Sequence, residues 1–195
     1  MKITLLGAAF DPPHLGHQKI TQVLLQKGLA DEVWWLPVRY HEFDKQMTAD
    51  DDRLQMLYLA KNSLNKQLRD KVKISTFELD LDKVSPTYDT LIALSKLWPH
   101  DRFSFAIGAD NLSRFHEWDD YQQMLDQFTF YVYPRPGFKL EPLYRGMKVL
   151  TDVQEIDISS TLVREKVMAG ESIAGLVSQP VAEYIDSKKL YTQLK

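Results

Sequence analysis

The stretch ITLLGAAFDPPHLGH, residues 3–17, combines an apolar run, a glycine, two consecutive prolines and two histidines three positions apart. The run ITLL has the length and composition of a buried strand. Apolar residues Ile20, Val23 and Leu24 then recur at helical spacing, and Gly28 is a natural stop for that helix. A strand that turns directly into a helix is the first half of a βαβ unit, so this stretch predicts an α/β fold.

Five further apolar runs have strand length, and several are apolar at nearly every position, as in strands buried on both faces of a parallel sheet. They cover residues 33–38, 72–77, 102–108, 128–133 and 147–151. Helical patterns lie between these runs. The alternation predicts right-handed crossovers and a doubly wound, open parallel sheet, followed from Ile158 by a mostly helical C-terminal part.

Two of the intervening helices have recognisable ends. Thr48 followed by Asp51 resembles a capping box, which predicts a helix from there through Leu64. A second helix is predicted over residues 88–97, ended by Pro99. Both segments have the length expected of a crossover between parallel strands.

The size and charge of the chain exclude several classes of protein. Its 195 residues, with a mass of 22.7 kDa, fit a single domain over residues 1–195. The net charge of -3 gives no general attraction to nucleic acid, and the absence of cysteine is typical of a reducing compartment. No apolar run approaches the roughly 20 residues that span a bilayer. We expect a cytoplasmic protein without a nucleic acid or membrane partner, of unspecified oligomeric state.

The turn after the first strand is the usual phosphate site of such a sheet, because ligands bind at the carboxyl ends of the strands. This turn has neither a GxGxxG fingerprint nor a P-loop lysine. His14 and His17 would instead lie on one side of a helix that begins near Leu15, where free N–H groups and the helix dipole attract an anion. The alternative is a pair of partly buried histidines that only cap the helix. The position of the turn in the sheet favours the anion site.

A second candidate anion site is DISSTLVR, residues 157–164. Ser159 is a good helix N-cap, and Ser160 and Thr161 add hydroxyl groups to the free N–H groups of the first turn. Arg164 would reach back over the same turn. The alternative is a well-capped helix that carries a surface arginine.

Two further residues suit a nucleotide. Asp110 follows a very apolar strand in GADNL, where a carboxylate can accept from both hydroxyls of a ribose, although it could equally cap a helix. Trp118 is flanked by acidic residues and could stack on a planar ring. The alternative for Trp118 is packing of one face on the core.

A polar loop, VRYHEFDKQM, follows the second strand and contains Arg39, His41 and Lys45. Cations at the carboxyl end of a strand can neutralise a phosphate. An isolated charge cluster of this kind is otherwise solvated surface.

Taken together, these segments resemble one family. FDPPHLGH is similar to the (H/T)xGH motif of the nucleotidyltransferase superfamily, and ISSTLVR to its ISSTxxR motif. The segments SPTYDTLIAL, IGADNL, YPRPG and PVAEYIDSKKLY, with Trp118, are similar to the nicotinate mononucleotide adenylyltransferases. The resemblance implies a Rossmann-like nucleotidyltransferase fold. It also implies an enzyme that joins a pyridine mononucleotide to ATP with Mg²⁺, in NAD biosynthesis.

The resemblance further implies roles for individual residues. The catalytic set is His14, His17, Lys45 and Arg164. The ATP-binding set is Gly7, Ala8, Phe10, His17, Gly108, Asp110, Ile158, Ser159, Ser160 and Arg164. The pyridine mononucleotide-binding set is His41, Lys45, Thr87, Trp118 and Arg135. Mg²⁺ is implied to arrive on the ATP phosphates, so no residue of the chain is expected as a metal ligand.

The chain departs from the family pattern in three places. Ala8 and Ala9 replace the second glycine and the threonine of the usual GGTFDP start, and HEFDK replaces the usual PHK after the second strand. Residues 85–91, SPTYDTL, replace the usual SYTxDTL and alter one wall of the pyridine pocket. The acceptor therefore stays open between nicotinate and nicotinamide mononucleotide, with nicotinate preferred by resemblance. The rivals are phosphopantetheine adenylyltransferase and a nucleotide-binding sensor without turnover.

Overall fold

The computed structural model describes residues 1–39, 47–151 and 157–192. Within these ranges, six parallel strands form one sheet in the order β3-β2-β1-β4-β5-β6. The strands are β1 (Lys2–Ala8), β2 (Glu32–Pro37), β3 (Val72–Ile74), β4 (Arg102–Gly108), β5 (Thr129–Tyr133) and β6 (Met147–Val149). The predicted open parallel sheet is confirmed.

Helices connect the strands and complete the C-terminal part. They are α1 (Leu15–Gln26), α2 (Asp50–Asn62), α3 (Lys66–Arg69), α4 (Thr87–Leu97), α5 (Tyr121–Gln127), α6 (Ser160–Met168) and α7 (Gln179–Lys188). A 3-10 helix, Ala109–Glu117, follows β4 directly. None of the helices within the described ranges is long and apolar enough to cross a membrane.

The strands are apolar throughout because both faces of the sheet are covered. Successive side chains of a strand point to opposite faces, so neighbours such as Trp34 and Trp35 enter different cores. Trp35 packs with Leu6 under α1, α2 and α7, whereas Trp34 packs with Leu5 under α4 and the 3-10 helix. Continuous apolar runs therefore specify a doubly wound sheet rather than a sheet with one solvated face.

The sheet order places a topological switch between β1 and β4. The chain moves from β1 outward to β2 and β3, and then returns to add β4, β5 and β6 on the other side. The crossover connections therefore leave β1 and β4 in opposite directions, which opens a crevice at their carboxyl ends. Gly7 and Ala8 end β1, and Gly108 ends β4.

Two local predictions are corrected. The capping box at Thr48 does not form: α2 begins at Asp50 with Ala49 as its N-cap, and the Thr48 N–H donates to the Asp11 carboxylate over 3.2 Å. The strand predicted over residues 72–77 ends at Ile74, because Thr76 and Asp80 close a turn through two hydrogen bonds of 2.8 and 2.9 Å. A local polar pairing outcompetes the sheet ladder there.

Candidate active site

The two histidines of the β1–α1 turn form one stacked pair at the N-terminus of α1. His14 is the N-cap residue, His17 lies in the first turn, and their ring centroids are 3.8 Å apart. Both are buried, with 5% and 6% of their surface exposed. The His14 N–H donates to His17 Nδ1 over 3.1 Å. Since Nδ1 accepts, the proton of a neutral His17 resides on Nε2, which is therefore a donor.

Both imidazoles are neutral around pH 7 in the free protein. Burial, with a smaller contribution from the positive charge of Arg135, lowers the pKa of His14 to about 3. Burial, followed by the proximity of the titratable His14 and the positive charge of Arg135, lowers the pKa of His17 well below its usual value. The buried His14 Nδ1 has no hydrogen-bond partner among the described residues. An unpaired buried nitrogen is costly, so this atom is suited to contact a ligand.

Helix α6 is attached directly to this turn. Ser160 Oγ donates to the Pro12 carbonyl over 2.8 Å, and Arg164 Nη1 donates to the Asp11 carbonyl over 2.6 Å. Arg164 Nη2 also contacts Thr161 Oγ1 at 3.2 Å. The two predicted anion sites, some 150 positions apart in the chain, are therefore one site in the fold.

The N-terminus of α6 is well formed. Ser159 is its N-cap, as predicted, and its Oγ accepts from the Leu162 N–H over 3.1 Å. The Ile158 carbonyl, just before the cap, accepts from Arg135 Nη1 over 3.2 Å. The arginine thereby joins the end of β5 to the start of α6.

Gly108 and Asp110 shape the end of β4. Gly108 has φ of -77°, which any residue adopts, but a Cβ there would overlap Asp110 Oδ1. A side chain at position 108 would therefore displace the Asp110 carboxylate. Asp110 Oδ1 is buried without a hydrogen-bond partner among the described residues and lies 3.6 Å from Arg135 Nε.

A cavity of about 300 Å³ opens between the carboxyl ends of β1 and β4. Its walls include Gly7, Ala8, Thr87, Gly108 and Trp118. Trp118 packs one face towards Phe115, with ring centroids 5.1 Å apart, and also lines the cavity. Both interpretations of Trp118 from the sequence, core packing and availability for stacking, are compatible with this position.

The predicted site residues separate into two adjoining groups. One surrounds the histidines, and it comprises His14, His17, Asp110, Arg135, Ile158, Ser159, Ser160 and Arg164. The other is the cavity wall just described. Arg135, predicted with the pyridine set, lies in the first group. His41 and Lys45 fall outside the described residues.

Phe10, predicted to contact ATP, has a buried side chain. Only 1% of its surface is exposed, and its ring lies 4.6 Å from that of His17. Its φ of 50° places it in the left-handed region, so the backbone turns sharply here. Any contact of Phe10 with a nucleotide would therefore come from its backbone.

Sequence reasoning missed a buried arginine beneath the turn. Arg53 is fully buried, and its Nη1 donates to the Ala9 carbonyl over 2.6 Å while Nη2 pairs with Asp50. Its spacing to Met56, Leu57 and Ala60 is i, i+3, i+4 and i+7, which places it on the apolar face of α2. That spacing was the available signal that this arginine is buried.

The fold, with a crevice at its topological switch, is that of a nucleotide-binding α/β protein. The model of the cytidylyltransferase-like family matches residues 5–166. A probable nicotinate-nucleotide adenylyltransferase of Geobacillus thermodenitrificans is 37% identical over 97% of this chain and 86% of its own. The nicotinate-nucleotide adenylyltransferase of Bacillus subtilis is 33% identical over 97% of this chain and 98% of its own.

Solved structures agree in fold. The Plasmodium falciparum nicotinic acid mononucleotide adenylyltransferase complexed with NaAD superimposes with a TM-score of 0.84, at 23% identity, covering 98% of this chain and 97% of that one. A putative nicotinate-nucleotide adenylyltransferase from Vibrio parahaemolyticus gives a TM-score of 0.72 at 21% identity, over 99% and 96% of the chains. The chain belongs to the cytidylyltransferase-like family and, within it, to the nicotinate-nucleotide adenylyltransferases. The resemblance found in the sequence is confirmed.

Proposed function

We propose that this protein transfers the AMP group of ATP to nicotinate mononucleotide, giving the deamido dinucleotide and pyrophosphate. The observation that carries the proposal is the buried histidine pair at the N-terminus of α1, in the turn that follows Gly7 and Ala8, which line a cavity together with Trp118. The family assignment supports the same reaction, since the matched relatives bear this activity in their names. We treat residues 1–195 as one domain, because the relatives match 97% of the chain.

The reaction needs no nucleophilic side chain. A phosphate oxygen of the acceptor attacks the α-phosphorus of ATP, a new P–O bond forms, and the bond from the α-phosphorus to the bridging oxygen of pyrophosphate breaks. The attacking oxygen is already anionic near neutral pH, so catalysis consists of positioning and charge stabilisation. This requirement matches a site made of imidazoles, guanidinium groups and helix N-termini.

His17 is placed to donate to the reacting phosphoryl group. Its Nδ1 is occupied by the His14 N–H, which leaves Nε2–H as the donor. His14 Nδ1 is unpaired within the described residues, and the stacked rings would present two nitrogens to one phosphate. A donor aimed at charge that develops in the transition state is worth most in such a buried site.

The departing pyrophosphate is proposed to bind at the start of α6. Free N–H groups of the first turn, the Ser160 hydroxyl and the Arg164 guanidinium lie together there. Arg164 is held by the Asp11 carbonyl, so its position is fixed before the ligand binds. A guanidinium fork suits pyrophosphate oxygens better than a point charge does.

The nucleosides are proposed to occupy the two sides of the switch point. Asp110 would accept from the ribose of ATP, close to Gly108, and Trp118 would stack on the pyridine ring of the acceptor, opposite Thr87. His41 and Lys45 are proposed to cover the phosphates from the loop after β2.

Mg²⁺ is proposed to enter on the ATP phosphates. The described residues contain no group of three or more histidine, aspartate or glutamate side chains arranged to hold a metal ion. The arginines and imidazoles of the site fit an anionic partner, and a metal–phosphate complex is such a partner. When bound, the cation would neutralise charge on the phosphate oxygens.

The test is product formation by the purified chain from ATP with a panel of acceptors. We expect dinucleotide and pyrophosphate with nicotinate mononucleotide and less product with nicotinamide mononucleotide. His17→Ala, which is expected to turn over far more slowly, serves as the matched control. Transfer to phosphopantetheine alone, or ATP binding without turnover on any acceptor, would contradict the proposal.

A further inference from the structure

Glu78 is a buried carboxyl group that the reaction described above does not use. It lies in the segment between β3 and α4 and is 9% exposed. It nevertheless lines the same cavity as Thr87 and Trp118, at the proposed pyridine end. A buried acid in the wall of a binding cavity is costly to ionise. A carboxyl group at this position is therefore a candidate functional residue.

The contacts of Glu78 tie it to one wall of that cavity. Thr90 Oγ1, which is fully buried on α4, donates to Glu78 Oε1 over 2.9 Å. The same hydroxyl lies 2.9 Å from Ser85 Oγ. Ser85 and Thr87 line the cavity, so the hydrogen-bonded series Glu78–Thr90–Ser85 holds this wall against α4. A change in the charge of Glu78 therefore acts directly at the proposed pyridine site.

Glu78 changes its protonation state near neutral pH. Burial raises its pKa to about 7, although the hydrogen bond from Thr90 opposes the rise. Among the residues that the structure describes, the other charged ones that line the cavity are Arg39, Lys83, Glu117 and Asp119. Arg39 is directed to the Leu79 and Leu81 carbonyls, and Glu117 is paired with Arg114. Because the pKa of Glu78 is about 7, both its neutral and its ionised form are populated in the pH range where metabolic enzymes work.

We propose that the charge of Glu78 sets the acceptor preference of this cavity, so that Glu78 is a specificity-determining residue. The neutral acid admits a pyridine ring that carries a carboxylate. The ionised form repels that carboxylate and leaves a ring with an amide unaffected, because the charge of a buried group such as Glu78 is poorly screened by solvent. This inference rests on the proposed function and extends it to the choice between acid and amide.

The test compares the KM values of nicotinate and nicotinamide mononucleotide between pH 6 and 8.5. The two acceptors share the ribose phosphate, and ATP is common to both reactions, so the ratio of the two KM values cancels the titrations that affect both reactions equally. We expect the ratio of acid to amide to rise roughly tenfold between pH 6 and 8, with kcat for each acceptor little affected. In Glu78→Gln, which keeps the shape and removes the titration, the ratio should be independent of pH.

Two further variants separate charge from structure. Glu117→Gln removes a carboxylate from the exposed rim of the same cavity, and its ratio should follow the wild-type curve. Thr90→Val removes the hydrogen bond that lowers the pKa of Glu78. The pH at which the KM ratio begins to rise should therefore be higher in this variant. The valine variant also provides a test if Glu78→Gln does not fold.

A ratio independent of pH in the wild type, or the same pH dependence in Glu78→Gln, would overturn the inference while transfer itself continued. A KM ratio that no longer depends on pH in Glu117→Gln would also overturn the inference. Absence of transfer to either pyridine mononucleotide would instead overturn the proposed function as well. The two failures are therefore distinguishable.

Discussion

Tyr191 donates a hydrogen bond to Asp11 Oδ1 over 2.6 Å, although the two residues are 180 positions apart in the chain. The other Asp11 oxygen accepts from the Thr48 N–H, and the Asp11 carbonyl accepts from Arg164. Asp11 is 5% exposed and lies in the turn that carries the histidines. The shape of that turn therefore depends on α6 and on the residues that follow α7.

Replacing Tyr191 by Phe should destabilise the protein. The change leaves the buried Asp11 carboxylate without one partner, and a hydrogen bond to a charged group is worth about 1.5–3 kcal/mol. Chemical denaturation should show this loss in the free energy of unfolding. Tyr184→Phe is the matched control, since Tyr184 contacts the more exposed Asp52 over 2.7 Å, and its effect should be smaller. Equal losses in the two variants would contradict the role given to Tyr191.

Replacing His17 by Ala should reduce turnover far more than ATP binding. Its Nε2–H is proposed to act on charge that develops in the transition state, and the loss of such a donor costs about 10²–10³ in rate. Steady-state kinetics gives kcat, and calorimetric titration of ATP gives the dissociation constant. An unchanged kcat with only a raised KM would mean that His17 does not act on the reacting phosphoryl group.

Replacing Arg164 by Lys should also be damaging. The guanidinium contacts both the Asp11 carbonyl and Thr161, and an ammonium cannot reproduce these contacts and also grip pyrophosphate in a fork. We expect kcat/KM for ATP to fall roughly tenfold or more, as for the loss of a charge-assisted hydrogen bond. Arg114→Lys, in an exposed pair with Glu117, is the control and should be near normal. Normal ATP kinetics in Arg164→Lys would exclude Arg164 from the site.

The buried histidines should lower the stability of the free protein as the pH drops below about 6.5, an effect that the raised pKa of Glu78 opposes in part. An unfolded histidine binds a proton near that pH, whereas folded His14, with a pKa of about 3, does not, so acid favours the unfolded state. His14→Asn keeps a capping residue and removes one such proton. In this variant, the slope of the free energy of unfolding against pH should be shallower than in the wild type by up to about 1.4 kcal/mol per pH unit. Urea titrations between pH 7 and 5, without phosphate, give both slopes; parallel curves would mean that His14 is protonated in the folded protein.

Replacing Gly108 by Ala should weaken ATP binding. The new Cβ would overlap Asp110 Oδ1 and lie 3.1 Å from Arg135 Cγ, so the carboxylate must leave its place beside the arginine. Loss of the proposed ribose contact should raise the KM of ATP roughly tenfold, with little change in the KM of the acceptor. An unchanged KM for ATP would show that Asp110 does not contact the ribose.

Much of the fold was readable because its determinants are local. Continuous apolar runs predicted the parallel strands, and β4 matches its predicted range of residues 102–108. The N-cap at Ser159 and the stop at Gly28, with φ of 64°, depend only on neighbouring residues. The prediction was wrong at Thr48, whose N–H donates to the distant Asp11 carboxylate and whose side chain does not cap α2. No neighbouring residue indicates that partner.

The sequence by itself determined the sheet, the two helix N-termini proposed to bind phosphate and the identity of the residues beside them. Only the tertiary structure decided that these termini form one site. It also decided that Arg135 lies close to the histidines and that Glu78 lines the cavity. Backbone propensities and apolar periodicity act over a few residues, so they leave a pattern in the sequence. Contacts such as that of Ser160 with Pro12, 148 positions apart, exist only after the crossovers pack, and burial then sets the protonation states of His14 and His17.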